Sequence, residues 1–217
     1  MPDLATMRLG CRWSPARVHV PEPVGVSSPV SSAWSRIVGT PRLSGDNTVL
    51  GDCVPTACAN AVQDAMAGAG DYGPIHQSVI VDTYSAVTGY TPGDPASDQG
   101  TDPSSMWGWW QQHDIAGYRL RKATPIDPQS EYAVRKTIET SGGVILIVAL
   151  SIEQQTQVEW LPVGTPGSWG YHCVWVDEYT GRLSFATSWG RVTPIHQDYL
   201  ASPGFTVGAF ALDLVAA

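Results

Sequence analysis

The chain has 217 residues and a mass of 23.2 kDa, of which 43% are hydrophobic and 15% charged. This composition excludes a highly charged disordered segment and a coiled coil, and the length allows one large domain or two small lobes. Twelve basic residues against 20 acidic ones give a net charge of −8 without any basic cluster, so binding to nucleic acid or to an anionic membrane is not expected.

The N-terminal sequence and the cysteine pattern indicate the cellular compartment in which we expect the protein. MPDLATMRLGCRWSP has no continuous apolar stretch of secretory length, and no segment approaches the ~18 apolar residues of a membrane span. We therefore expect a soluble protein that is not exported through the Sec pathway. The four cysteines form no CxxC pair, and a chain of this size needs no disulfide framework. Free thiols, no metal and no organic cofactor are expected.

The first 45 residues differ in character from the rest. Prolines recur through them with Ser and Val between, and no helical period is sustained. This pattern predicts an extended Pro-rich arm over 1–45, followed by a folded domain over 46–217.

The front half of that domain carries helix signals. The Ala-rich stretch after Gly51, with Asp52 as a candidate N-cap, predicts a helix that ends near 68–70. Apolar spacing and Asp-Pro starts predict three more helices, over about 75–87, 102–113 and 127–142.

From residue 144 onward the signals change to strands. VILIVALS is a short run rich in β-branched residues, and YHCVWVDE, RLSFAT and FTVGAFALDLV follow it. The predicted fold class is α+β, with a helical N-terminal lobe over 46–143 and a β-rich C-terminal lobe over 144–217.

Cys53 is the first candidate for chemistry. The polar turn GDNTVLGDC delivers its thiol to the start of a helix, where unpaired N–H groups and the helix dipole favour the nucleophilic thiolate. The neighbouring Asp52 works partly against that effect. An inert buried thiol is the alternative at such a position, and it is the interpretation we give to Cys58 and Cys173.

His172 is the candidate base. A Gly-rich loop leads into the strand that carries it, and a ring at the start of a strand can face a cleft and take a proton from a thiol. A half-buried structural histidine is the alternative. The other histidines lie in no comparable setting: His19, His76, His113 and His196.

The order of a Cys at a helix start, a His on a later strand and a polar residue before Ser-Trp-Gly resembles the papain-like cysteine peptidases. The resemblance covers most of the chain after residue 45. The pattern DNxxxGDC, with QGTD and a later TSWG, is closest to small bacterial and tailed-phage members of that superfamily. It implies a two-lobed papain-like fold, a peptide or protein substrate and no cofactor.

The resemblance also implies a catalytic role for three residues. Cys53 would attack an amide carbonyl, and His172 would accept and return the proton. Asn47 lies six positions before Cys53, where the family has an oxyanion-binding Gln. With the Cys53 N–H it would stabilise the oxyanion, by on the order of 3 kcal/mol per donor.

Other matching positions concern the groove and the orientation of the base. Thr187 stands where the family has an Asn that orients the catalytic ring, and Trp189 would shield that contact. The groove would be lined by Gln99, Gly100, Thr101 and Trp189. No helical pro-segment pattern occurs in 1–45, so self-inhibition by such a segment is not expected.

Two alternatives remain open. The substituted third residue and the missing helical pro-segment favour a catalytically weak or inactive structural module of a phage particle, with protein contacts through the arm and Trp109. The other alternative is a Cys/His cell-wall amidase or endopeptidase. The expected location is cytoplasmic or virion-associated.

Overall fold

The computed structural model describes residues 9–13 and 41–217, which contain five α-helices and one six-stranded sheet. The predicted α+β class is confirmed. The helices are α1 (Cys53–Gly68), α2 (Gln77–Thr88), α3 (Pro103–Trp110), α4 (Glu131–Ser141) and α5 (Gln197–Ala201). The strands are β1 (Tyr118–Pro125), β2 (Val144–Leu150), β3 (Gly170–Thr180), β4 (Leu183–Ser188), β5 (Arg191–His196) and β6 (Thr206–Ala216). The remaining residues of the predicted arm, 1–8 and 14–40, lie outside the described residues.

The helix predictions are confirmed in existence and shifted at their ends. Helix α1 begins directly after Asp52 and ends at Gly68, as predicted. Its small side chains allow close packing against β3, α2 and β4, and most of them are buried. Helix α4 begins later than predicted. The Ser130 hydroxyl accepts the Ala133 N–H at 3.2 Å and caps the helix, so the Asp-Pro pair at 127–128 lies in the preceding turn.

All pairs in the sheet are antiparallel, in the order β1-β6-β2-β3-β4-β5. The fully buried β2 lies between β6 and β3, which explains its unbroken apolar sequence. Strand β1 was not predicted. It lies in the part predicted to be helical, and it pairs along β6 at the edge of the sheet, where its charged residues remain in solvent.

The sheet has an apolar core on each face. Because side chains alternate along a strand, Ile145 and Ile147 of β2 face the core formed with α1 and α3, while Leu146 and Val148 face the core of α4 and α5. No helix in the described part of the chain is long and apolar enough to cross a membrane.

Candidate active site

Cys53 is the first residue of α1, and its thiol is fully buried. The backbone N–H groups of Cys173 and Gly10 lie near its sulfur. Burial raises the pKa of the Cys53 thiol to about 12; those two N–H groups lower it, and the Asp52 charge raises it further. Cys173 directly follows His172 on β3, so the backbone next to the predicted base lies near the predicted nucleophile.

The His172 ring is held on two sides. Its Nε2 hydrogen-bonds to the Ser188 hydroxyl at 2.5 Å, and the ring stacks on the Trp189 indole with centroids 4.4 Å apart and an interplanar angle of 11°. Burial lowers the pKa of His172 to about 3, so the imidazole is neutral. Its Nδ1 has no hydrogen-bond partner among the described residues, so the direct bond to Cys53 is not formed in this state.

Thr187 does not make the contact predicted for it. Its hydroxyl accepts a hydrogen bond from the Arg42 guanidinium, which also donates to the buried Asp177 carboxylate at 3.2 Å. The ring of His172 is contacted instead by Ser188, the next residue of β4. Strand alternation was the signal that could have shown this, because neighbouring residues of a strand face opposite sides.

Trp189 occupies an unusual backbone conformation. Both central residues of the β4–β5 turn have positive φ, 50° at Trp189 and 67° at Gly190, which is the pattern of a type I′ hairpin. For a tryptophan this conformation is strained. The turn holds the indole flat against His172, and the Trp169 ring stacks on the same indole with centroids 5.9 Å apart.

The turn before α1 carries the predicted oxyanion group. Asn47 is buried, and its side-chain Oδ1 has no partner among the described residues. Asp52 accepts the Asp46 N–H at 3.0 Å. Burial raises the pKa of Asp52 to about 8, with smaller contributions from the charges of Asp46 and Asp98. The carboxyl is therefore largely uncharged at neutral pH and opposes the thiolate less than the sequence suggested.

A buried carboxylate connects this turn to the predicted wall of the groove. Asp98 accepts the Gly51 N–H at 3.0 Å and the Tyr84 hydroxyl at 2.5 Å. The same Tyr84 oxygen accepts the Gly100 N–H at 2.9 Å. Asp98 and Tyr84 thus fix the wall against the residues that precede Cys53, a role that the sequence reasoning missed. Gln99 is exposed and bonds to the carbonyl of its own turn.

The groove is occupied by the chain itself. Thr101 donates its N–H to the Gly10 carbonyl at 2.6 Å and accepts the Arg12 N–H at 2.9 Å, in a parallel bridge. Gly10 lies so close to the turn before Cys53 that an added Cβ would come within 2.0 Å of the Gly51 carbonyl oxygen. No self-inhibition by a helical segment was expected, and an extended segment, 9–13, covers the thiol instead.

The structure also describes the surroundings of Trp109, of the four cysteines and of possible metal ligands. Trp109, a predicted protein contact, stacks on His113 of its own chain with centroids 4.7 Å apart. All four cysteines are free and buried. Within 9–13 and 41–217, no group of three or more His, Cys, Asp or Glu side chains is placed to hold a metal ion.

Comparisons with known proteins bear on the fold. No protein-family model and no curated protein matches the chain. Among solved structures it is similar to xylellain, a cysteine protease from Xylella fastidiosa, with a TM-score of 0.72 and 10% identity over 96% of both chains. It is also similar to procathepsin L 3 of the Tenebrio molitor larval midgut, with a TM-score of 0.61 and 13% identity over 96% of this chain and 77% of the other. The cysteine protease and lectin-like domains of Cwp84 from Clostridium difficile match at a TM-score of 0.57 and 10% identity, over 97% of this chain and 54% of theirs. The chain therefore has the papain-like fold, the fold of these cysteine proteases.

Proposed function

We propose that the protein is a cysteine hydrolase that cleaves an amide bond in a peptide or protein. The observation that supports this most directly is that α1, which begins at Cys53, packs against β3, which carries His172, with the Cys173 backbone near the Cys53 sulfur. The fold shared with cysteine proteases supports the same reaction class.

The proposed reaction uses Cys53 and His172 in turn. The Cys53 thiol gives its proton to Nδ1 of His172, and the thiolate attacks the carbonyl carbon. Asn47 and the Cys53 N–H stabilise the oxyanion. The C–N bond breaks as His172 returns the proton to the leaving amine, and water, with His172 again as base, hydrolyses the thioester.

Exposure to water is needed before this reaction starts. Burial disfavours the thiolate of Cys53 and the imidazolium of His172 alike, so the covered site holds a neutral pair. When 9–13 leaves the groove, water reaches Cys53, and the pKa of its thiol moves toward its ordinary value. Displacement of that segment is therefore part of the proposed cycle, since a substrate needs the same space along Thr101.

The experiment is hydrolysis of a quenched fluorescent peptide library by the full chain. Cys53→Ala and His172→Ala are each expected to lower kcat/KM by about a thousandfold or more. Cys58→Ala, at a buried thiol of the same helix, and His113→Ala are the matched controls and are expected to stay within about twofold. Hydrolysis that survives in Cys53→Ala would disprove the proposal. Peptidoglycan fragments, offered in parallel, identify the cell-wall amidase alternative if they alone are cleaved.

An inactive structural module is the second candidate. It is favoured by the covered thiol and by the unformed Cys53–His172 bond. In a phage particle, the arm and Trp109 would then supply subunit contacts. Light scattering separates the candidates, since a monodisperse monomer that hydrolyses peptides supports the hydrolase, and an inactive self-assembling chain supports the module.

A further inference from the structure

We infer that Ser188 is the residue that positions His172 for proton transfer. This inference rests on the proposed function and names a residue other than the predicted Thr187. Its hydroxyl oxygen lies 2.5 Å from Nε2 of the ring, and both side chains are buried, Ser188 with 1% of its surface exposed. No water competes for a hydrogen bond at such a site, so the contact is strong enough to fix the ring.

The register of the sheet explains why Ser188 faces the ring. Trp175 of β3 is paired with Thr187 of β4, so these two side chains share one face of the sheet. His172 is three residues from Trp175, an odd step, and lies on the opposite face. Ser188, one step from Thr187, also lies on that opposite face. Thr187 points toward Arg42 and is not available to His172.

The contact selects one ring nitrogen for chemistry. Stacking on Trp189 restricts the plane of the ring, and the Ser188 bond restricts its rotation within that plane. With the proton on Nε2 donated to Ser188, the lone pair lies on Nδ1, which has no partner among the described residues. That nitrogen is then free to receive the proton of Cys53.

Serine performs this role differently from a carboxamide. An amide oxygen only accepts a hydrogen bond, so it holds the proton on the nitrogen that faces it. A hydroxyl both accepts and donates, and in the donating orientation it stabilises the tautomer protonated on Nδ1, which cannot act as the base. Removing the hydroxyl is therefore expected to change the tautomer balance of His172 as well as its orientation.

The kinetic test compares four variants of the full chain on one peptide substrate. Ser188→Ala is expected to lower kcat by about 10- to 100-fold and to leave KM within about threefold, because the interaction serves proton transfer rather than binding. Ser188→Thr keeps the hydroxyl and is expected to recover most of that loss. Ser184→Ala, a buried serine of the same strand, is the control. A loss in Thr187→Val equal to that in Ser188→Ala would overturn the assignment.

A second measurement does not depend on activity. The ¹⁵N spectrum of the ring at pH 7, assigned with His172→Gln, is expected to show a protonated Nε2 and an unprotonated Nδ1. Ser188→Ala is expected to give a mixture of tautomers, and an unchanged spectrum would contradict the inference.

The two failures can be told apart. If Cys53→Ala abolishes hydrolysis while Ser188→Ala changes neither kcat nor the ring spectrum, the inference fails and the proposed function stands. If Ser188→Ala changes the ring spectrum while Cys53→Ala remains active, the proposed function fails and the placement of the ring by Ser188 stands.

Discussion

The two sides of the groove differ in how their buried polar atoms are paired. On the wall side, the Asp98 carboxylate accepts hydrogen bonds from Gly51 and Tyr84, and Thr101 Oγ1 has no partner among the described residues. On the reactive side, Asn47 Oδ1 and His172 Nδ1 are buried without a partner among the described residues. An unpaired buried polar group costs about 1–3 kcal/mol. Asp98 therefore fixes the wall, whereas on the reactive side His172 Nδ1 stays available to accept a proton.

The largest expected effect on stability is at Asp52, on the reactive side. Its folded pKa is about 8, against about 3.9 in an unfolded chain, so between these values only the folded state holds the proton. The free energy of unfolding therefore falls as pH rises from about 4 through 8, by on the order of 5 kcal/mol. Asp52→Asn is expected to remove this decline.

Urea unfolding at pH 4.5, 7 and 9 measures that decline. His172 contributes in the opposite direction below pH 6.5, because its lowered pKa lets only the unfolded state take up the proton. The wild type and Asp52→Asn share this His172 contribution, so the difference between their pH dependences measures the effect of Asp52 alone. Asp71→Asn, at an exposed position, is the control. Equal pH dependence in Asp52→Asn and the wild type would show that the carboxyl is not protonated as described.

Arg42 connects the segment before the oxyanion turn to the β-rich part. Its guanidinium bonds to Thr187 and to Asp177, which lies in a β-bulge of β3 and is fully buried. Arg42→Ala is expected to lower the free energy of unfolding by about 3 kcal/mol, because the carboxylate loses a cation in a buried site. Arg121→Ala, which removes an exposed pair with Asp213, is expected to cost much less. Equal costs in urea unfolding would contradict the comparison.

The wall side is tested at Asp98. Asp98→Ala leaves the Gly51 N–H and the Tyr84 hydroxyl without this acceptor, and a loss of about 2 kcal/mol is expected. Tyr84→Phe is expected to cost about half as much. Asp94→Ala removes a carboxylate from the exposed turn nearby and should cost less than either. Thermal or urea unfolding measures all three, and a cost below that of Asp94→Ala would refute the described role of Asp98.

Local sequence patterns predicted many of the helices and strands. The start of α1 at Cys53 follows from the N-cap position and the alanines, and β2 follows from an unbroken apolar run. Strand β1 escaped prediction because it is an edge strand whose charged residues remain in solvent, so it lacks an apolar run.

The candidate site depends partly on sequence order and partly on strand register. Asn47 lies in the turn before Cys53, as expected. The choice between Thr187 and Ser188 depends on which face of β4 meets His172, and pairing with β3 decides that.

The covering segment could not be predicted because it joins parts of the chain about 90 residues apart. Its pairing with Thr101 leaves no local pattern. The absence of a side chain at Gly10 allows the close approach to Gly51, since a Cβ would collide with that backbone. This contact provides a way to uncover the site without touching a catalytic group.

We propose that Cys53 and His172 form a reactive pair beneath Gly10, and the rate of Cys53 alkylation by iodoacetamide at pH 6 tests this proposal. Gly10→Ala is expected to raise that rate at least about tenfold, equivalent to about 1.4 kcal/mol, and His172→Ala in the same background should remove most of the gain. Gly108→Ala, whose Cβ would meet no neighbour, should leave the rate unchanged. If Cys53 in Gly10→Ala reacts no faster than Cys58, or is indifferent to His172→Ala, the pair is not a catalytic one.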